Sequence, residues 1–159
     1  MGKPEQSFSW SEFYSYRKKI RKDYPSVFGL TIKKKTLDVV TEELKNGDKI
    51  LDVGASNRSL GEKIRERLPS VVYKSMDIDK AQDHDYYSLD EISESFDMII
   101  LVEVIEHLEF QNGISMLFKL LSLLNSRGKL ILSTPNIFHP NRYWEDSDHK
   151  TPYCYDGIS

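Results

Sequence analysis

The stretch Lys49-Ile50-Leu51-Asp52-Val53-Gly54-Ala55-Ser56-Asn57 decides the fold. A short apolar strand that ends in an acid and a glycine is how α/β domains bring backbone to a nucleotide-like ligand. A second acidic stop follows at Asp77, at the end of another apolar run and 25 residues beyond Asp52. That interval suits one strand–helix–strand unit, which places a glycine turn under a ligand and a carboxylate on its ribose hydroxyls. The pair points to an adenosine-bearing ligand.

Working outward, strands alternate with helices. Residues 49–53 read as a strand, and Leu60, Ile64 and Leu68 recur at helical spacing. A strand over 71–78 leads to a short one near Tyr86. Residues 96–102 form the next strand, followed by a buried helix carrying Ile114, Leu117, Phe118, Leu121 and Leu124. The turn Ser126-Arg127-Gly128 opens a last strand over 129–133. Strands apolar on both sides, in a β-α-β-α rhythm, predict a mainly parallel sheet with helices on both faces.

Before this core, Ser9-Trp10-Ser11-Glu12 has capping-box spacing, and Trp10, Phe13, Ile20 and Tyr24 follow as a helical stripe that Pro25 stops. A lid over the cleft is one use of this helix; packing of Trp10 and Phe13 is the reading favoured. Residues 32–45 read as another helix, with Leu37, Val40 and Leu44 inward, Lys33, Lys34 and Lys35 as a solvated face, and Asn46-Gly47 as its stop. The division predicted is an N-terminal helical extension over 1–35 and a cofactor-binding core over 36–159.

The 159 residues suffice for one domain with a real core. With 39% apolar residues, 30% charged residues and net charge −3, the bulk composition indicates neither a phosphate-tracking surface nor a disordered chain. Cys154 is the only cysteine, which excludes an intramolecular disulfide or a cysteine zinc site and fits a reducing, cytoplasmic setting. The longest apolar run, 98–102, is far short of the ~20 residues that span a bilayer, so no membrane partner is expected.

Ligands of such sheets bind beyond the carboxyl ends of the strands. That directs attention to 54–57, 77–79, 103–107 and 134–136, all polar or backbone-rich. Glu103, Glu106 and His107 stand at i, i+3 and i+4, which on a helix gathers two carboxylates and an imidazole on one face, and His149 can complete the set. Oxygen-rich ligation with one or two imidazoles suits Mg²⁺ or Mn²⁺ better than zinc. The alternative gives Glu103 a contact with cofactor or substrate, Glu106 a helix N-terminus, and His107 local packing. Phe138, Tyr143, Trp144, Tyr153 and Tyr155 form a late aromatic group that can line a pocket or equally pack against further strands.

From about residue 36 to 155 these motifs resemble the class I S-adenosylmethionine-dependent methyltransferases. Ile50-Leu51-Asp52-Val53-Gly54 looks like the first cofactor motif and Met76-Asp77-Ile78 like the second. Residues 96–100 with Glu103-Val104-Ile105-Glu106-His107-Leu108 are similar to the family's fourth strand and its loop, and Leu132-Ser133-Thr134-Pro135-Asn136 to the end of its fifth. The resemblance implies a Rossmann-like core that binds S-adenosylmethionine through Asp52, Gly54, Ala55, Ser56, Asp77, Ile78 and Val102, Asp77 holding the ribose and Ile78 covering the adenine. It implies methyl transfer to a small-molecule acceptor, at oxygen, with Glu103, His107 and His149 as catalytic residues. Small-RNA 3′-terminal 2′-O-methyltransferases pair a similar Glu-x-x-Glu-His with a later Asp-His-Lys, as in Asp148-His149-Lys150. The alternative is therefore a metal-dependent RNA enzyme with Glu103, Glu106, His107 and His149 as ligands. A non-catalytic binding module is a further one.

Two departures from the family are visible. Ser56 and Arg58 stand where it usually has glycines, so their backbone must avoid positive φ or accept strain of roughly 1–3 kcal/mol. The sequence stops before the usual final antiparallel strand pair, so either it is a fragment, or the strand over 129–133 is left as an edge that needs cover or a partner, a homodimer being one such partner.

Overall fold

The computed structural model describes residues 9–25 and 35–155. Expectations for 1–8, 26–34 and 156–159, including Lys33 and Lys34, lie outside the described residues. Two compact units are distinguished: Lys33–Pro152, and Met1–Ile32 with Tyr153–Ser159.

In the smaller unit, helix α1 (Trp10–Asp23) begins where the Ser9 hydroxyl accepts the Glu12 amide at 3.3 Å, and ends at Tyr24 before Pro25. Capping satisfies an amide that the first helical turn leaves without a partner. Trp10 does not pack inward as expected: it is 59% exposed, and its ring meets Phe13 edge-on at 6.0 Å.

The larger unit contains α2 (Thr36–Glu43), β1 (Lys49–Val53), α3 (Ser59–Arg67), β2 (Val72–Met76), β3 (Phe96–Val102), α4 (Phe110–Ser122), β4 (Leu124–Ser133) and the single turn α5 (Pro140–Tyr143). The strands form one parallel sheet in the order β2-β1-β3-β4. Register follows the apolar pattern, pairing Leu51 with Ile99 and Ile99 with Leu130. Val40, Leu44 and Ile64 pack with Ile50, Tyr73, Met98 and Ile100 on one face. Leu51, Val53, Ile99 and Leu101, which alternation sends to the other face, are equally buried. Fully burying a side chain of this size contributes about 1.5–3 kcal/mol, so β1 and β3 anchor the domain. This is a Rossmann-like arrangement, with no antiparallel pair among the described residues.

Three expectations change. The strand near Tyr86 is only an isolated parallel bridge to Met76. The helix α4 is not buried all round: Gly113 and Leu120 face inward, whereas Phe118 and Leu121 are 50% and 51% exposed. The helix also ends before Leu124, which already pairs with Phe96. Ser126-Arg127-Gly128 is not a turn ahead of β4 but an irregularity within it, where the register against β3 shifts and Arg127 takes φ 67°. No helix among the described residues is long and apolar enough to cross a membrane.

Candidate functional site

The carboxyl ends of β1, β2 and β3 carry the predicted cofactor residues. Gly54 follows β1 at φ 73°, and a Cβ there would stand 2.3 Å from Val104 Cγ2. Both the conformation and the close approach require glycine. The Gly54 and Ala55 amides donate to the Met76 carbonyl at 2.9 and 3.2 Å, drawing the turn against the end of β2. The Ser56 amide then donates to Asp77 Oδ2 at 2.8 Å, while Asp77 Oδ1 accepts from the Asp79 amide at 3.0 Å. Each oxygen keeps acceptor capacity beyond its single bond, which suits a pair of ribose hydroxyls.

Ser56 and Arg58 do adopt positive φ, 45° and 62°, so the turn keeps the glycine-like shape and carries the strain. Ile78 is 81% exposed directly after Asp77, an apolar surface of the kind a planar base would cover. Val102 closes β3 and is half-buried. Asp52 lies lower in the sheet, 3% exposed, accepting the Tyr73 hydroxyl at 2.6 Å. Burial is the main cause that raises its carboxyl from 3.8 to about 6; the Tyr73 bond pulls the other way. Tyr73 in turn packs on Gly61 of α3, where a Cβ would lie 2.1 Å from the ring.

The second half of the site follows β3. Glu103 has φ 54°, and only Ile105–His107 forms a 3₁₀ turn, so the single helical face expected for Glu103, Glu106 and His107 does not exist. Instead the Glu103 amide donates to the Ser133 carbonyl at 3.1 Å and its carboxylate accepts the Ser133 hydroxyl at 2.7 Å. Glu106 is fully buried, and among the described residues neither of its side-chain oxygens has a hydrogen-bond partner. Its carboxyl is raised above the ordinary range, first by burial and then by the Glu103 charge, against the opposing effect of the nearby His107 and His149.

The stretch after β4 folds back onto this turn. Lys150 and Thr151 amides both donate to the Glu106 carbonyl, at 2.8 and 3.1 Å, and the Thr151 hydroxyl donates to the Leu108 carbonyl at 2.7 Å. This brings His149 to His107, ring centroids 4.8 Å apart. Ligand atoms of Glu106, His107 and His149 lie within 4.8 Å of one another, without Glu103. His149 Nδ1 is 2.6 Å from the Tyr143 carbonyl, which can only accept, so Nδ1 carries a proton, and Nε2 stands 3.9 Å from Asp146 Oδ2. His107 Nδ1 stands 3.4 Å from Asp148 Oδ2. One buried carboxylate and two imidazoles, one backed by a carbonyl, form a donor set that fits a divalent cation.

A cavity of about 660 Å³ opens here, lined by Glu103, Glu106, His107 and His149 with Glu145 and Asp146. Sequence reasoning missed Glu145, Asp146 and His139, another lining residue; they lie in a polar stretch without periodicity, and only their proximity to the Asp148-His149-Lys150 motif could have drawn notice. Of the aromatic candidates, Tyr143 is 1% exposed and backs His149 at 4.8 Å rather than facing a ligand, and Trp144 is 65% exposed.

A family model described as a methyltransferase domain matches residues 25–154. No curated protein matches the chain. Among solved structures, coclaurine N-methyltransferase bound to N-methylheliamine and SAH aligns over 82% of this chain and 52% of its own, at 14% identity and TM-score 0.55. A SAM-dependent methyltransferase from Archaeoglobus fulgidus aligns over 92% and 66%, at 17% identity and TM-score 0.54. A chain of the Pnkp1/Rnl/Hen1 RNA repair complex aligns over 86% and 37%, at 20% identity and TM-score 0.54. At these identities the likeness is one of fold, and this chain spans two-thirds or less of each.

Proposed function

The chain belongs to the class I S-adenosylmethionine-dependent methyltransferase family, and on that premise we propose that it moves the methyl group of S-adenosylmethionine to an oxygen of a small-molecule acceptor. The observation that carries this reading is Glu106: a fully buried carboxyl with no hydrogen-bond partner among the described residues, beside two imidazoles, at the end of the sheet where the Gly54 turn and Asp77 stand. Unpartnered buried charge is costly and marks functional sites.

Asp77 would hold the ribose, Ile78 would cover the adenine, and the backbone of 54–56 would lie against the methionine part with Val102 beside it. Methyl transfer from a sulfonium is an in-line displacement, so the protein mainly brings the acceptor oxygen to within ~3–3.5 Å of the methyl carbon and keeps water out. The oxygen–carbon bond forms as the carbon–sulfur bond breaks, and the acceptor's proton has to leave. In the neutral imidazole, with Nδ1 committed to the Tyr143 carbonyl, His149 Nε2 is the base suited to take it. Glu103, pinned by Ser133, offers a fixed acceptor for a neighbouring hydroxyl of the substrate.

A second reading rests on the same carboxylate. Glu106, His107 and His149, with Glu103 nearby, would hold Mg²⁺ or Mn²⁺, which when bound lowers the pKa of a coordinated hydroxyl. That arrangement also suits the 2′-hydroxyl at an RNA 3′ end, and one fold neighbour is a chain of the Pnkp1/Rnl/Hen1 RNA repair complex. The experiment is a methyl-transfer assay with small hydroxylated acceptors and short RNAs, each with and without a chelator. Activity on small acceptors that survives chelation supports the first reading. Chelator-sensitive activity confined to RNA supports the second, and cofactor binding without transfer to any acceptor supports a non-catalytic module.

A further inference from the structure

Arg58 occupies the left-handed region at the N-cap of α3, yet makes no side-chain capping bond to that helix. Its guanidinium crosses to another part of the chain. Nη1 donates to the Asp83 carbonyl at 2.8 Å, and Nη2 stands 3.5 Å from Asp85 Oδ2. The guanidinium carbon lies 5.8 Å from the Tyr73 ring centroid, whose hydroxyl holds Asp52. Asp85 is itself fixed to β2, accepting the Ser75 amide and Lys74 Nζ, each at 2.9 Å. The two segments that Arg58 joins are those on either side of Asp77: the Ser56 amide reaches the Asp77 carboxylate from the turn after β1, and the Asp77 amide reaches the Tyr86 carbonyl in the segment after 83–85.

A glycine at position 58 would adopt φ 62° without strain but would leave those segments joined only through their bonds to β2. An arginine accepts the strained backbone and supplies a planar fork with several donors, which spans a carbonyl and a carboxylate at once. We propose that Arg58 is a positioning residue for the cofactor: it locks the turn after β1 to the 83–85 segment, so that the Ser56 amide and Asp77 carboxylate stand in binding geometry before the ligand arrives. This rests on the S-adenosylmethionine reading of the site. Ordering the two segments is then part of folding and is not subtracted from binding. The departure from glycine that the sequence shows at this position is a replacement of backbone freedom by a side-chain strap.

The test compares wild type with Arg58→Gly and Arg58→Lys in two measurements. Calorimetric titration with S-adenosylhomocysteine gives the affinity; amide hydrogen exchange of the ligand-free chain gives local order. For Arg58→Gly the affinity falls about tenfold, and exchange over 55–59 and 83–86 accelerates while β3 amides stay protected. Arg58→Lys, which keeps the charge and loses the fork, falls between, and it carries the test if the glycine variant does not fold. Affinity of both variants within about twofold of wild type overturns the proposal. So does weaker binding with unchanged local exchange, since Arg58 would then be acting on the ligand directly. Wild type that binds no S-adenosylhomocysteine overturns the cofactor reading itself, and the strap as a cofactor device with it.

Discussion

The Ser56 amide donates to Asp77 Oδ2 at 2.8 Å, joining the turn after β1 to the end of β2 across a gap of 21 residues. Through this bond the glycine turn and the second acidic stop of the sequence are brought together, while Asp52 stays buried against the Tyr73 hydroxyl. The Ser56 bond aims the Asp77 carboxylate without using up its acceptor capacity, so the same residue can orient the turn and receive a ribose.

Replacing Asp77 by alanine removes the bond to the Ser56 amide and the ribose contact proposed for it. Binding of S-adenosylhomocysteine is expected to weaken by about 100-fold, in line with loss of a charge-assisted hydrogen-bond pair. The melting temperature should barely change, because Asp77 is only half-buried. Titration calorimetry alongside a thermal melt checks both halves.

Gly54→Ala meets two obstacles, φ 73° and a Cβ 2.3 Å from Val104 Cγ2. A loss of about 2–4 kcal/mol in urea unfolding is expected. Adding Val104→Ala should recover part of it, by relieving the clash and not the backbone strain. Strict additivity of the two substitutions would show that the contact does not matter.

Asp52 predicts a pH dependence. Its folded pKa of about 6 lies above the ordinary 3.8, so folding favours the protonated form. The contribution is fully present below about pH 4 and is lost as pH rises towards 6, a swing on the order of 3 kcal/mol. Asp52→Asn cannot titrate, so its stability relative to wild type should rise across that window. Urea midpoints of both proteins from pH 4 to 7 test this; parallel profiles would refute it.

Glu106→Gln removes a buried ionisable carboxyl that has no hydrogen-bond partner among the described residues. The ligand-free chain should become more stable by about 1–2 kcal/mol while methyl transfer falls at least about 100-fold, the trade-off expected of a group retained for function. Stability and activity falling together would mean that Glu106 serves the fold.

The two faces of α4 can be told apart by Leu120→Ala and Leu121→Ala. Leu120 is fully buried and Leu121 is 51% exposed. The first should cost about 2–4 kcal/mol and the second under about 1 kcal/mol. The reverse order of costs would place the helix in the rotation that sequence periodicity alone suggested.

That helix shows where reading from sequence stops. Ile114, Leu117, Phe118, Leu121 and Leu124 satisfy a helical period, but so do Gly113, Leu117, Leu120 and Leu123. Two apolar stripes one residue apart fit the same pattern, and only packing against the sheet selects between them. The near-strand at Tyr86 failed for a similar reason: its local pattern allows pairing, but the chain there is held by the Asp85 bonds to Ser75 and Lys74 and makes only one bridge.

The sequence by itself determined the parallel sheet, the glycine turn and the acid after the second strand. Strand burial on both faces, helical spacing and the need for positive φ are local constraints written in consecutive residues. The tertiary structure decided what distant segments do to one another. It set Glu103 apart from Glu106, brought His149 to His107, fixed the His149 proton through the Tyr143 carbonyl, and turned Arg58 from a misplaced residue into a strap. Those outcomes depend on which atoms meet after the chain folds back at 146–151 and 83–85, and no residue spacing encodes them.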